Sequence, residues 1–206
     1  METTMTTVRV YCAGPLFNDP ERAEMHAIAQ ALEKAGYETF LPQRDGFELS
    51  DVQRQFETSG VSPAQANRLV HRSIFDLDIY HLLQWSHACV ANINGRVPDE
   101  GTVVEAALTW GAGRPLVLFK SDDRAPFDGE DNPMLSCLTN LQITDSVDAI
   151  PQVVAAEIAR DRTADVAATL ARGHRVADAV SASRESETPT DPGELARTLA
   201  SIYAEV

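Results

Sequence analysis

Apolar positions along this chain follow two spacings that alternate. Short apolar or β-branched runs, each a predicted strand, fall at residues 8–14, 37–41, 88–93, 115–119 and 141–144. Between them the apolar positions recur at the spacing of a helix with one buried face. Met25, Ile28, Ala29 and Leu32 share such a face in a helix predicted over Glu21–Ala35, with Asp19 as its cap, Pro20 at its first position and Gly36 as its stop. Ser62 and Pro63 start a second pattern, with Ala66, Leu69, Val70 and Ser73 on one side. It runs on through Ile74, Phe75, Leu77, Ile79, Leu82 and Leu83, as one long helix or two. Ala106–Gly113 and Val147–Arg160 read as further helices. Strands that alternate with helices are joined by crossovers, which makes the sheet parallel. The predicted fold class is α/β: a flavodoxin-like, three-layer fold with a five-stranded parallel sheet.

Two stretches interrupt the pattern. Gln43 to Gly60 is polar without clear periodicity and longer than most strand-to-helix connections, so it reads as a lid or binding loop. Ser121 to Asn132 is acidic and turn-rich, a surface loop; Asn132-Pro133-Met134-Leu135 opens a short segment after it. The tail has another character. Arg162–Ser181 is helical in pattern, residues 183–193 are rich in Ser, Glu, Thr and Pro and read as a linker, and Glu194–Ala204 forms a last helix. The expected organisation is an α/β domain over 1–160 and a helical C-terminal extension over 161–206, with no internal repeat.

Composition narrows the function more than the fold. A chain of 206 residues, 44% hydrophobic and 23% charged, buries one good core and carries an appendage. Its net charge of -14 argues against nucleic acid and anionic membranes, whose phosphates need clustered Lys and Arg. Lysine is confined to Lys34 and Lys120. Cys12, Cys89 and Cys137 are odd in number and lack metal-type spacing; the first two fall inside predicted strands, so they are expected to be buried free thiols in a reducing cytoplasm. The five histidines are scattered, so no metal site is expected. Met1–Thr7 has no signal-peptide pattern, and no apolar run approaches the roughly 20 residues that span a bilayer.

Candidate chemistry concentrates in Asn94–Glu105, a Gly-, Pro- and Asp-containing turn between a buried strand and a helix. Such a turn is where an α/β protein builds a site at its strand ends. Glu105 falls in the first turns of its helix, where the dipole favours the ionised form and makes a carboxylate a competent nucleophile. Alone it reads more simply as a dipole-complementing glutamate at a helix start. Asp99 shares the turn, Asp78 precedes the third strand by a helical stretch, and Tyr11 lies on the adjacent first strand, its phenol a candidate to hold the Glu105 rotamer. Carboxylates and a phenol on neighbouring strand ends suit glycosyl chemistry: one acid attacks the sugar carbon, another handles the leaving group's proton, another binds hydroxyls.

Tyr11-Cys12-Ala13-Gly14-Pro15-Leu16-Phe17, Leu41-Pro42-Gln43, Asp78 and Pro98-Asp99-Glu100-Gly101-Thr102-Val103-Val104-Glu105 together resemble the nucleoside 2-deoxyribosyltransferase family over about Val8–Ile158. The resemblance implies that Glu105 is the nucleophile of a covalent 2-deoxyribosyl-enzyme, Tyr11 orients it, and Asp99 binds the sugar hydroxyls. Asp78 is then the acid that handles the proton of the base, with Asp76 its rival. Phe17 packs on the base, where the alternative is a core phenylalanine, and Gln43 reads it, where the alternative is a solvated loop residue. Gly14 and Gly101, the glycines of the two motifs, join the substrate-binding set. Asn132 and Met134 match a segment that family members lend to a neighbouring subunit, against a loop turn and a core methionine. The implied reaction transfers 2-deoxyribose between bases, with slow hydrolysis and no metal or organic cofactor, in a cytoplasmic homo-oligomer that takes nucleosides and nucleobases. The segment from Asp78 to the third strand runs one residue longer than the family's pattern, residues 43–61 are extended, and the C-terminal tail is additional.

Two other functions compete. A related N-glycoside hydrolase of nucleosides or nucleoside monophosphates needs a 5′-phosphate acceptor where Asp99 places a like charge, and no Gly- and Ser-rich phosphate cradle adjoins Gly14. A non-catalytic nucleoside- or nucleotide-sensing module on the same fold needs no nucleophile, yet Tyr11, Asp99 and Glu105 occur together.

Overall fold

The structure is a computed structural model that describes residues 7–127, 129–162, 164–185 and 192–204. Two compact units divide between Asp161 and Arg162.

The first unit is built on five parallel strands: β1 (Arg9–Ala13), β2 (Glu38–Phe40), β3 (Ala88–Asn92), β4 (Leu116–Phe119) and β5 (Ile143–Thr144). Their order across the sheet is β2-β1-β3-β4-β5. This is the doubly wound, flavodoxin-like order, whose switch point lies between β1 and β3. Those two strands pair Tyr11 with Cys89 and Ala13 with Ala91.

Alternate side chains point to opposite faces of a strand, and both faces here are apolar. Val10, Cys12, Val90, Val117 and Phe119 lie in one core cluster, to which α1 (Asp19–Lys34) supplies Met25, Ile28, Ala29 and Leu32 as expected and to which Ile150 and Val154 also belong. Tyr11, Ala13, Cys89, Ala91, Leu116 and Leu118 join the opposite cluster, to which Leu82 and Ala106 contribute. Cys12 and Cys89 are buried free thiols; Cys137 is exposed.

Helix boundaries depart from the sequence reading at informative places. The cap of α1 is Asn18, whose side chain accepts from the Glu21 amide at 3.0 Å, so Asp19 is already helical. Residues 43–60 are not an irregular loop. They form α2 (Pro42–Asp45) and α3 (Leu49–Thr58), the latter packed on α4 (Pro63–Tyr80). Leu49, Val52 and Phe56 recur at helical spacing in α3, a short apolar period set among polar residues that the sequence reading passed over. The helix after the Asn94 turn, α5 (Glu100–Gly111), starts six residues before the first alanine of the predicted one. The rest of the unit is α6 (Pro133–Ser136) and α7 (Ile150–Ala159), each adjoining a turn of 3₁₀ helix.

The second unit holds α8 (Asp165–Glu185) and α9 (Pro192–Tyr203), which pack on each other. The predicted linker is shortened from both sides; its residues 186–191 lie outside the described residues.

Candidate active site

The C-terminal ends of β1 and β3 open onto the N-terminal turns of α5, and Tyr11 bridges them. Tyr11 is fully buried, and its hydroxyl donates to Glu105 Oε1 at 2.6 Å. Its ring is held from below by aromatic packing. Phe40 stacks on it at 5.6 Å between centroids, and His81 stacks on Phe40 at 3.7 Å with the planes 10° apart. A phenol fixed this way keeps its hydroxyl where Glu105 needs it.

Asp99 is the N-cap of α5. Its Oδ2 accepts from the amide of Thr102 at 2.8 Å and from the Thr102 hydroxyl at 2.9 Å. This second use of Asp99 explains why the helix starts at Glu100. One carboxylate oxygen is thereby committed, and Oδ1 has no hydrogen bond among the described residues. A side chain at Gly101 would begin 3.1 Å from Oδ2, so the glycine leaves room for the cap. The turn before it is made possible by Gly95, whose φ of +106° favours glycine. Gly14 is favoured by close approach instead: a Cβ there would lie 2.2 Å from Met25 Sδ and displace that side chain.

Asp78 belongs to the last turn of α4. The helix widens at His81–Trp85 into a π-type turn that closes with the Ser86 amide on the His81 carbonyl at 2.9 Å. Asp76 points elsewhere and pairs with Arg72 at 3.4 Å on the exposed side of the helix. Asp78, by contrast, lines a cleft of about 810 Å³ together with Leu16, Gln43, Phe47 and Leu77.

Gln43 is therefore part of the cleft rather than a solvated loop residue. Its Nε2 donates to the Arg22 carbonyl at 2.9 Å, while its Oε1 is buried with no partner among the described residues. The short helix that carries it is anchored by Arg44, which bonds Glu33 at 2.7 Å and Asp45 at 2.9 Å. Neither this clamp nor the capping of α5 by Asp99 through Thr102 is part of the sequence reading. Thr102 stands in the motif already quoted, where its spacing from Asp99 was a usable capping signal.

Electrostatics separate the two acids near Tyr11 from ordinary carboxylates. Burial pushes Glu105 up to about 7; the Tyr11 hydrogen bond opposes this, and the negative charges of Asp78 and Asp99 add to it. Burial pushes Asp78 up to about 6, held back by the nearby Tyr11 hydroxyl. Burial and then the charge of Glu105 raise Tyr11 far above its ordinary value, so the phenol keeps its proton and remains a donor. The arrangement supplies a buried carboxylate with a fixed rotamer and, close by, a second acid that holds its proton to unusually high pH.

Three predicted site residues stand apart from this cluster. Phe17 is 77% exposed and Met134 82%, so neither is a core residue. Asn132 caps α6, its Oδ1 accepting from the Met134 amide at 2.9 Å. Among the described residues, no group of three or more His, Cys, Asp or Glu is placed to hold a metal ion, and no helix is long and apolar enough to cross a membrane.

Solved structures similar to this chain include a 2-deoxyribosyltransferase from Bacillus psychrosaccharolyticus. It is 19% identical, with a TM-score of 0.52, over 70% of this chain and 90% of that one. A conserved protein from Enterococcus faecalis V583 is 16% identical, with a TM-score of 0.51, over 73% of this chain and 99% of that one. At such identities the likeness speaks for the fold alone. No curated protein matches the sequence. The family pattern of nucleoside 2-deoxyribosyltransferase matches residues 10–138, a stretch that begins one residue before Tyr11 and contains Asp78, Asp99 and Glu105. By that match the chain belongs to the nucleoside 2-deoxyribosyltransferase family.

Proposed function

We propose that this protein transfers the 2-deoxyribosyl group of a 2′-deoxynucleoside to another nucleobase through a covalent intermediate on Glu105. The observation that carries the reading is the 2.6 Å bond from Tyr11 to Glu105 beside a second, proton-retaining acid. A carboxylate whose rotamer is fixed meets the anomeric carbon along one line, which is what nucleophilic catalysis at a crowded carbon requires.

In the first half-reaction a Glu105 oxygen forms a bond to C1′ as the C1′–N bond breaks through an oxocarbenium-like transition state. The electron pair leaves with the base, and Asp78 gives that nitrogen its proton. In the second, the nitrogen of an incoming base attacks C1′, the ester to Glu105 breaks, and Asp78 takes up the proton released. Two inversions return the original configuration. Water in place of the second base gives slow hydrolysis. No metal or organic cofactor enters these steps.

Asp99 spends one oxygen on its helix and keeps Oδ1 for the sugar hydroxyls. Gln43 and Asp78 border the base cleft, and the backbone at Gly14 and Gly101 borders the sugar. Phe17, Asn132 and Met134, exposed in the single chain, complete the site when a second copy supplies its Asn132 segment, so the working form is a homo-oligomer. The activity serves nucleoside salvage in the cytoplasm.

The test pairs two measurements. Incubated with a deoxynucleoside and a different free base, the protein exchanges the bases, and its intact mass rises by one 2-deoxyribosyl group when the donor is given alone. Glu105→Ala abolishes both. Exchange that survives this substitution assigns the nucleophile elsewhere; base release without exchange makes the protein a hydrolase.

A further inference from the structure

One of the chain's two lysines is buried. Lys120 follows β4 directly, and its side chain is 7% exposed; that of its partner, Asp131, is 9% exposed. The ammonium bonds Asp131 Oδ1 at 2.5 Å and lies 3.5 Å from the carbonyl oxygen of Gly95. Its own backbone is fixed to the sheet, the Lys120 amide donating to the Thr144 carbonyl at 2.8 Å. Burying two charges is expensive, and an apolar pair of equal volume is often as stable. Stability alone therefore does not account for this pair, which directs attention to what it holds.

On one side it holds the turn that leads to Asp99. Gly95 donates its amide to Asp122 Oδ2 at 3.1 Å, and the neighbouring Asn94 accepts on Oδ1 from the amides of Ser121 and Asp122 at 2.8 and 2.9 Å. Asn94 Nδ2 reaches back to Glu24 at 2.8 Å, and Glu24 also receives Asn92 Nδ2 at 2.7 Å. On the other side the pair holds Asp131, the residue before Asn132. Lys120 is thus the one cation in contact with both the turn before Asp99 and the segment before Asn132 among the described residues.

We propose that Lys120 is a positioning residue: its ammonium fastens the Asp99 turn and the Asn132 segment to the end of β4, so that both are presented as one unit. The proposal rests on the reading of Asp99 as the residue that binds the sugar hydroxyls and of Asn132 as part of the segment that completes a site. Lys120 touches neither Tyr11, Glu105 nor Asp78, so it acts on where the sugar sits and leaves the chemical groups alone. Where the Asn132 segment serves a neighbouring copy, the same ammonium ties the chain's own sugar turn to the part it lends.

The experiment compares Lys120→Met, the apolar pair K120M/D131L and Lys120→Arg in the full-length protein by two readouts. In amide hydrogen exchange, K120M/D131L speeds exchange about tenfold in peptides covering 94–99 and 131–135 together, while peptides of β1 and α1 are unchanged. In base exchange the same variant raises KM for the deoxynucleoside about tenfold, with kcat within about threefold and the pH profile in place. Lys120→Arg restores most of both. Should Lys120→Met alone fail to fold, the double variant, which leaves no buried charge unpaired, carries the comparison. Unchanged protection at 94–99 overturns the proposal, as does a fall in kcat at constant KM, the mark of a merely structural role. If the wild-type protein exchanges no bases, the proposed activity fails, and the hydrogen-exchange comparison still decides the role of Lys120.

Discussion

Tyr11 and Glu105 lie 94 residues apart in the chain and 2.6 Å apart in the structure, phenol hydroxyl to carboxylate Oε1. The hydroxyl holds the carboxylate's rotamer, and it opposes the burial that pushes Glu105 up to about 7. Removing it by Tyr11→Phe acts on both. A hydrogen bond to a charged group is worth ~1.5–3 kcal/mol, so kcat falls by about 10- to 100-fold. Glu105 is also ionised only at higher pH in the variant. A pH–rate profile of Tyr11→Phe checks the second effect independently of the first; an unshifted profile leaves the hydroxyl without an electrostatic part.

The wild-type profile is expected to be a narrow bell. Glu105, up to about 7, attacks only when ionised, and Asp78, up to about 6, protonates the leaving base only when neutral. Both conditions are best met together between these values, so exchange peaks between about pH 6 and 7 and falls on either side. Asp78→Asn removes the acid and flattens the alkaline fall for ordinary donors. A donor whose base leaves without protonation loses far less rate in that variant, and initial rates with the two donors compare them directly.

Stability depends on pH through the same carboxyl. The folded-state value of Glu105 is raised, so its contribution is fully present below its ordinary value near 4.5 and is lost as pH rises through about 7. Glu105→Gln removes this dependence. Little change in Tm is expected at pH 4.5, and a rise of about 3–8 °C at pH 8, on the scale of ~2 kcal/mol for a domain of this size. Thermal melts of the two proteins at both pH values read it; a variant equally stabilised at pH 4.5 would point to packing instead of charge.

Asp99 has two jobs that substitution separates. Asparagine is as good an N-cap as aspartate, whereas alanine forfeits about 1 kcal/mol. Asp99→Asn therefore keeps the melting temperature within about 1 °C, and Asp99→Ala lowers it by about 2–4 °C. Both lower kcat/KM for deoxynucleosides, because each replaces the charged acceptor left for the sugar. If Asp99→Asn retains full kcat/KM, the residue is a cap and nothing more.

Much of the fold was legible because it follows from local spacing. The alternation of β-branched runs with the Met25, Ile28, Ala29 and Leu32 stripe identifies crossovers and a parallel sheet, and the sheet has that order. Tyr11, Asp99 and Glu105 were legible as candidates because glycines and a proline mark the turns beside them. What local spacing does not contain is the partner across the fold. That the Tyr11 phenol meets Glu105 depends on the pairing of β1 with β3 and on the helix capped by Asp99. Asp78 and Asp76 sit two positions apart on α4 and so face different sides of it; that the first lines the cleft and the second pairs with Arg72 is settled by how the helix packs. Residues 43–60 concealed two helices because the apolar period of α3, Leu49, Val52 and Phe56, is short, and α2 is held by the Arg44 clamp rather than by an apolar face of its own. Lys120 shows the same division most plainly. The sequence determined that lysine is rare, and only the tertiary structure decided that one of the two is buried against Asp131 and Gly95, where long-range contacts, not sequence neighbours, set its surroundings.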